Sequence, residues 1–372
     1  MPDFPLTRRR LIAAGALAGL GITFPRIAMG AEQSKRLVFI IQRGAADGLA
    51  MVQPHGDPAL RSLRAALVDD DAHDLDGFFA LHPAMEQTAR MFAAGEARAF
   101  HAVATSYRER SHFDGQNLLE TGASAPYAIG TGWLGRLVPL LPGEGGAMAM
   151  SATVPLALRG ERPVATYAPP NRIPDPSDEL LAQLGTLYAE DAQLAPLWEE
   201  GLRTRMLASD IGADNGRNGA AVGALVASLL TAADGPRLAM IETGNWDTHL
   251  GQAGRLRTQL GGLDALLGGM REGLGSVWAD TLVLIATEFG RTAAINGTMG
   301  TDHGTGAAAL MLGGALPAGD PVVADWPGLA PSQLYENRDL RATANVLDIM
   351  ARGIAGHFAL DPERALAAVR AA

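Results

Sequence analysis

Two short runs carry residue types suited to metal binding or acid–base chemistry. Trp246-Asp247-Thr248-His249 and Thr301-Asp302-His303-Gly304 each pair a carboxylate with an imidazole, in a chain with only 8 histidines. Carboxylate oxygens and imidazole nitrogens are ligands for zinc, manganese and iron. Two residues apart in a loop, Asp247 and His249 can address one centre; the alternative is that Asp247 orients His249 or caps the next helix. Asp302 and His303 lie in a glycine-rich run, Gly300–Gly306, where the backbone can approach an anion or a metal closely. The alternative there is a turn with Asp302 bonded to local amides.

Other residues could complete such a centre. Asp47, beside Gly48, is either a ligand or the Asp of a tight Asp-Gly turn. Glu288 follows the most hydrophobic strand-like run and needs a partner, either a metal or Arg291. Ser111 stands at an expected helix start, with Asp114 three residues on as in a capping box. Its hydroxyl there is either a cap or a nucleophile aided by the helix dipole. His112 is a ligand or an acid–base group, and Tyr107, Arg108 and Arg110 offer donors to an anion. His55, His73, His82, His101 and His357 show no partner pattern and are read as structural or surface residues.

The elements that must position these residues follow from apolar patterning. Strands are expected at 37–42, 97–104, 152–158, 163–168, 238–242, 282–286 and 307–312. Helices are expected at 83–94, from Ser111, and at 131–141, 252–275, 341–355 and 361–371. Residues 177–232 read as mostly helical, an insertion or a cap over the sheet. This order argues an α/β fold with a largely parallel central sheet and helices on both faces. In such sheets ligands bind beyond the carboxyl ends of the strands, where the named polar residues are expected. There is no P-loop, dinucleotide fingerprint or nucleophile elbow.

The N-terminus reads as a leader. Arg8, Arg9 and Arg10 precede the uncharged run Leu11–Phe24, and Ala28-Met29-Gly30 offers a cleavage site. That run is shorter than the about 20 residues of a bilayer span, so no membrane span is expected once it is removed. The pattern resembles a twin-arginine signal over residues 1–30, which implies the twin-arginine export machinery as a partner and a periplasmic or secreted product. The chain carries 30 basic and 40 acidic residues, and losing Arg8, Arg9, Arg10, Arg26 and Asp3 leaves a net charge of −13. Such a surface repels nucleic acid and anionic membranes. With no cysteine, disulfides, iron–sulfur clusters and thiolate chemistry are excluded.

Taken together, five motifs resemble a known family. They are Arg43-Gly44-Ala45-Ala46-Asp47-Gly48, Ser111-His112-Phe113-Asp114-Gly115-Gln116, Trp246-Asp247-Thr248-His249, Glu288-Phe289-Gly290-Arg291-Thr292 and Gly300-Thr301-Asp302-His303-Gly304. Their order resembles the twin-arginine-exported domain-of-unknown-function 1501 family across the mature chain, 31–372. That family is similar, more distantly, to the alkaline phosphatase and sulfatase superfamily. The resemblance implies an alkaline-phosphatase-like core with one or two divalent metals, zinc or manganese. It places Asp47, Asp247, His249, Glu288, Asp302 and His303 among the ligands, and Ser111 near the hydroxyl nucleophile. His112 and Arg291 complete the expected catalytic group. The chain departs from the superfamily in its Asp-x-His spacing, in Phe289 where a His is usual, and in lacking the sulfatase modification motif. Two functions fit: a metal-dependent hydrolase of small anionic phosphate or related esters, or a non-catalytic metal-binding or assembly protein of the cell envelope.

Overall fold

Successive residues of an extended strand face opposite sides of a sheet, so an unbroken apolar run needs cover on both faces. The computed structural model describes residues 35–142, 146–167, 218–233 and 235–371, with isolated positions between 188 and 198. The leader and most of 177–232 lie outside the described residues. The strands are β1 (Arg36–Gln42), β2 (Val52–Gln53), β3 (His73–Asp74), β4 (Ala80–Leu81), β5 (Ala97–Ala104), β6 (Ala147–Met150), β7 (Val164–Thr166), β8 (Leu238–Thr243), β9 (Thr281–Thr287), β10 (Ala307–Leu312), β11 (Val322–Val323) and β12 (Ala344–Asn345). The helices that matter below are α1 (Gly48–Met51), α2 (Leu60–Arg64), α3 (Glu86–Ala93), α4 (His112–Thr121), α5 (Trp133–Leu137), α6 (Gly219–Thr231), α7 (Gln252–Leu274), α8 (Val346–Phe358) and α9 (Pro362–Val369).

The main sheet runs β11-β5-β10-β9-β1-β8-β6-β7, with β12 also on β5, and β2-β4-β3 form a small second sheet. β1 pairs in parallel with β8 and β9, and every β1 residue after Arg36 is buried. Val38 and Ile40 join the core beneath α3, α6 and α7, while Leu37, Phe39 and Ile41 join the core beneath α5, α8 and α9. Phe39 meets Trp133 edge to face at 5.0 Å. The expected α/β architecture is therefore present, with one refinement. β10 is antiparallel to both β9 and β5. Its entry loop, with Asp302 and His303, thereby lies at the sheet edge where the parallel strands end.

Several expected elements shift for local reasons. No strand forms over 152–158: β6 comes earlier, and Leu156–Leu158 is a single 3-10 turn led by Pro155. A proline has no N–H to give a ladder. α8 starts at Val346 rather than 341, because Asn345 caps it and Ala344–Asn345 pair with β5. The described end of the 177–232 segment is core rather than cap. On α6, Val226, Leu229 and Leu230 are buried, and a Cβ at Gly223 would lie 2.1 Å from the Leu266 carbonyl of α7. Glycine there lets the two backbones close.

One buried histidine sets a pH limit on this fold. His101 on β5 is 1 % exposed; its Nδ1 accepts from the Ala102 N–H (2.8 Å), so its Nε2–H donates to the Val52 carbonyl (3.0 Å). Burial lowers its pKa to about 4, and burial likewise lowers that of His357 to about 4. The unfolded chain takes up these protons near pH 6.5 and the folded chain only near 4. Their contribution to stability is complete above pH 6.5 and falls away as the pH drops toward 4. Urea unfolding at pH 7 and pH 4.5 should show the loss, of which His101 supplies up to about 3 kcal/mol. A His101→Gln variant should show a shallower slope.

Candidate metal centre

Three loops at one sheet edge bring three imidazoles to one carboxylate. His112 opens α4, Asp247 and His249 follow β8, and His303 precedes β10. His303 Nε2 lies 3.0 Å from His112 Nε2 and 3.1 Å from His249 Nε2. Asp247 Oδ1 is 2.9 Å from His249 Nε2 and 3.1 Å from His303 Nε2, and its Oδ2 is 3.4 Å from His112 Nε2. Ligand atoms of His112, Asp247 and His303 all lie within 4.8 Å of one another, with His249 on the flank of that group.

The outer nitrogen of each ring fixes what the inner one presents. His112 Nδ1 meets Glu288 Oε1 at 2.8 Å, His249 Nδ1 meets Asp302 Oδ1 at 3.0 Å, and His303 Nδ1 meets the Arg110 carbonyl at 3.0 Å. Each partner only accepts, so each Nδ1 carries the proton and each neutral Nε2 presents a lone pair. Lone pairs facing each other at 3.0–3.1 Å, beside a carboxylate, need a cation between them, either a proton or a metal ion. Ligands held 2.0–2.1 Å from a tetrahedral zinc stand about 3.3 Å apart, so the donor set fits such an ion.

Electrostatics separate the rings. The Glu288 hydrogen bond raises the pKa of His112, whereas burial and then the charge of His112 lower that of His303. Burial would raise the Asp247 carboxyl, but the Arg291 hydrogen bond and charge hold it below its usual value. Hydrogen bonds from Asn296 and His249 hold Asp302 low.

The structure changes the roles of several expected site residues. Glu288 does not pair with Arg291. Buried at 1 % exposure, it accepts from His112, the Gly44 N–H (2.8 Å), Gln116 (3.0 Å) and Thr287 (3.0 Å), so it supports His112 from behind. Arg291 is equally buried; it donates to Asp247 Oδ1 (2.5 Å), to Thr301 Oγ1 (3.1 Å) and to the Thr301 carbonyl. It positions Asp247 and has no exposed face for a substrate. Asp47 stands apart from the imidazoles. It receives Arg64 Nη1 at 2.9 and 3.1 Å, caps α1 through the Ala50 N–H, and accepts from Gln252 at 2.6 Å. Asp302 orients His249 and is itself held by Asn296 Nδ2 at 3.1 Å. Ser111 is the N-cap of α4 yet makes no side-chain capping bond; its N–H donates to the Tyr107 hydroxyl (3.3 Å), which itself donates to Asp114 (3.0 Å), so no capping box closes. Ser111 remains beside His112 at the helix start.

Behind the rings the packing is close. Phe289 stacks on His112 (centroids 5.0 Å, planes 26° apart) and lies 5.4 Å from His303. Gly44 has φ +112°, and a Cβ there would lie 2.8 Å from the Asp247 nitrogen, so glycine lets the 43–47 loop touch the Asp247 loop. A buried chain of polar contacts then joins Arg64 to Asp47, Gln252, Thr301, Arg291 and Asp247, with Thr301 Oγ1 donating to Gln252 Oε1 at 2.6 Å. Gln252 and Asn296 were not marked in the sequence, and Thr301 and Gln116 stood in its motifs without a role, since amides and hydroxyls whose partners are chosen by packing leave no spacing signal. Arg338 was also missed: its Nη2 donates to the His303 carbonyl (2.9 Å), and its side chain is 41 % exposed.

A Glu288→Gln substitution keeps the shape but frees His112 to adopt either tautomer. Partners in this outer position are worth about 10–100-fold in metal affinity. Zinc titration against a chelating dye, on the variant shown to be folded by circular dichroism, should show a loss in that range. An unaltered affinity would mean that Glu288 does not orient the ring.

The family model described as protein of unknown function (DUF1501) matches residues 34–364. No curated protein matches the chain. Among solved structures, the chain is similar to a protein in the alkaline phosphatase superfamily from Vibrio parahaemolyticus (11 % identity, 89 % of this chain and 69 % of that one, TM-score 0.43). It is also similar to the alkaline phosphatase from the Antarctic bacterium TAB5 (12 % identity, 76 % and 92 %, TM-score 0.38). A third similarity is to the C-terminal periplasmic domain of EcEptC from Escherichia coli in complex with Zn (7 % identity, 76 % and 74 %, TM-score 0.40). With the family model covering residues 34–364 of the 372, the chain belongs to the DUF1501 family.

Proposed function

We propose that this protein binds one divalent ion, zinc or manganese, through His112 Nε2, His303 Nε2 and Asp247, with His249 beside them, and hydrolyses a small phosphate or related ester. The observation that carries the reading is the convergence of imidazole lone pairs on one carboxylate, each ring fixed from behind by an acceptor. A bound ion there would polarise an ester oxygen and lower the pKa of an attacking hydroxyl or water.

The chain's own groups supply the rest. The start of α4 presents unpaired N–H groups and a positive dipole end to an anion. Ser111 sits at that end as the hydroxyl nucleophile. Arg338, anchored on the His303 carbonyl and 3.5 Å from Asp339, keeps its side chain 41 % exposed and would offset charge on the transferred group. Asp47, Glu288, Asp302 and Arg291 hold this arrangement in shape.

Export belongs to the same proposal. The paired arginines and apolar run of the leader suit the twin-arginine machinery and a periplasmic or secreted product. Among the described residues no helix is long and apolar enough to cross a membrane.

One observation favours a non-catalytic metal-binding reading. Arg291 and Arg110, the arginines first expected to meet the substrate, are committed to Asp247 and to Asp339 and Glu336.

Metal analysis of the purified chain should find about one tightly held equivalent, lost in Asp247→Asn and in His303→Ala. Less than half an equivalent, unaffected by either change, would sink the metal reading. Phosphomonoesters, phosphodiesters and sulfate esters offered with zinc or manganese separate the two functions. Turnover abolished by Asp247→Asn supports the hydrolase; a full equivalent of metal with no turnover supports the binding protein.

A further inference from the structure

Exposed apolar side chains scattered singly need no explanation, but several on segments that meet at one polar centre call for one. Three of the most exposed ones lie on the three segments that carry the imidazoles. Phe113 (80 % exposed) follows His112, Leu250 (56 %) follows His249, and Met299 (52 %) precedes Asp302 and His303 in one loop. Tyr127 (65 %) is tied to the same helix as Phe113, its N–H donating to Asn117 at 2.8 Å.

Met299 is not the slack of a loose turn. Asn296 accepts from the N–H groups of Thr298 and Gly300 and donates to the His249 carbonyl, and Thr298 Oγ1 donates to that carbonyl at 2.6 Å. The Met299 carbonyl accepts from the Gln252 N–H. Within this clamped loop Met299 has φ 59°, and Tyr127 has φ 60°. Glycine would relieve the left-handed backbone at both positions. Each instead combines a left-handed backbone with an exposed apolar side chain, and backbone strain of this kind clusters at active sites and ligand contacts.

We propose that Phe113, Leu250 and Met299, with Tyr127 beside them, form an apolar rim that receives the non-polar group of an amphiphilic ester whose anionic group lies at the His/Asp centre. The inference rests on the reading of that centre as an ester site and adds the substrate class. An occupant spanning both regions must carry charge at one end and hydrocarbon or an aromatic ring at the other. An anionic bilayer fits less well, because the chain carries 30 basic against 40 acidic residues and repels such lipid.

The test uses phosphonates, which the protein cannot hydrolyse. Isothermal titration of the zinc-loaded chain should show octylphosphonate binding at least about 30-fold tighter than methylphosphonate, since burying even part of the alkyl chain gives that much. In Phe113→Ser/Leu250→Ser/Met299→Ser the preference should fall below about 3-fold, with zinc content and methylphosphonate affinity unchanged. Met299→Gly, which relieves the backbone and so keeps the fold, should alone lower the preference about 3–10-fold. Equal binding of the two phosphonates by the unaltered chain overturns the rim. Full preference kept in both variants overturns it too. If neither phosphonate binds a chain that holds zinc, the ester reading fails and the rim with it. If the unaltered chain shows no alkyl preference yet sediments with phosphatidylcholine vesicles, and the triple variant does not, the apolar residues are a membrane contact instead.

Discussion

The outer nitrogens of three histidines constrain everything else at this site. Glu288, Asp302 and the Arg110 carbonyl can only accept, so they hold a proton on each Nδ1 and turn each Nε2 lone pair inward. The inner faces then meet one another and Asp247 at 2.9–3.4 Å, with no donor among them except Arg291. Such a cluster is unfavourable without positive charge at its centre. The surroundings serve that arrangement. Phe289 fixes the ring planes of His112 and His303, and the polar chain from Arg64 to Asp247 anchors the carboxylate to the core.

That anchoring explains why so many charged groups are buried around the site. Arg64 and Arg291 are each at or below 1 % exposure, as are Asp47 and Glu288. Burying them costs desolvation, and the pairs do not stabilise the fold by themselves in proportion to their number. Their geometry is what they supply. Each is saturated with partners from distant segments, so the loops after β1, β8 and β9 and before β10 are held in one register. The antiparallel direction of β10 is part of the same solution, since it brings the entry loop of that strand to the edge where the parallel strands end.

Much of this was legible in the sequence, and the limits have physical causes. β1, β5, β8, β9 and β10 announced themselves as apolar runs with polar residues at their ends, and α7 by its leucine spacing. Asp247, His249 and His303 were legible because carboxylate and imidazole adjacent in a loop is an uncommon pattern. His112 was singled out but its weight was not, since a lone histidine at a helix start carries no spacing signal. Asp47, Glu288 and Arg291 were rightly marked as strand-end charges, yet their roles depend on Arg64, Gln252, Thr301 and Gln116, partners chosen by tertiary packing. The strand expected over 152–158 failed for the opposite reason: apolar alternation outweighed the missing donor of Pro155.

The claim at the centre of this account is that the inner imidazole nitrogens and Asp247 form one metal shell. A crystal structure of the zinc-soaked protein, with anomalous data collected at the zinc edge, tests it most directly. A single strong peak is expected about 2.0–2.2 Å from His112 Nε2, His303 Nε2 and an Asp247 oxygen, with Glu288 and Asp302 still bonded to the Nδ1 atoms. A peak bonded to Glu288 or Asp47, or full zinc occupancy elsewhere with these nitrogens unliganded, would contradict it.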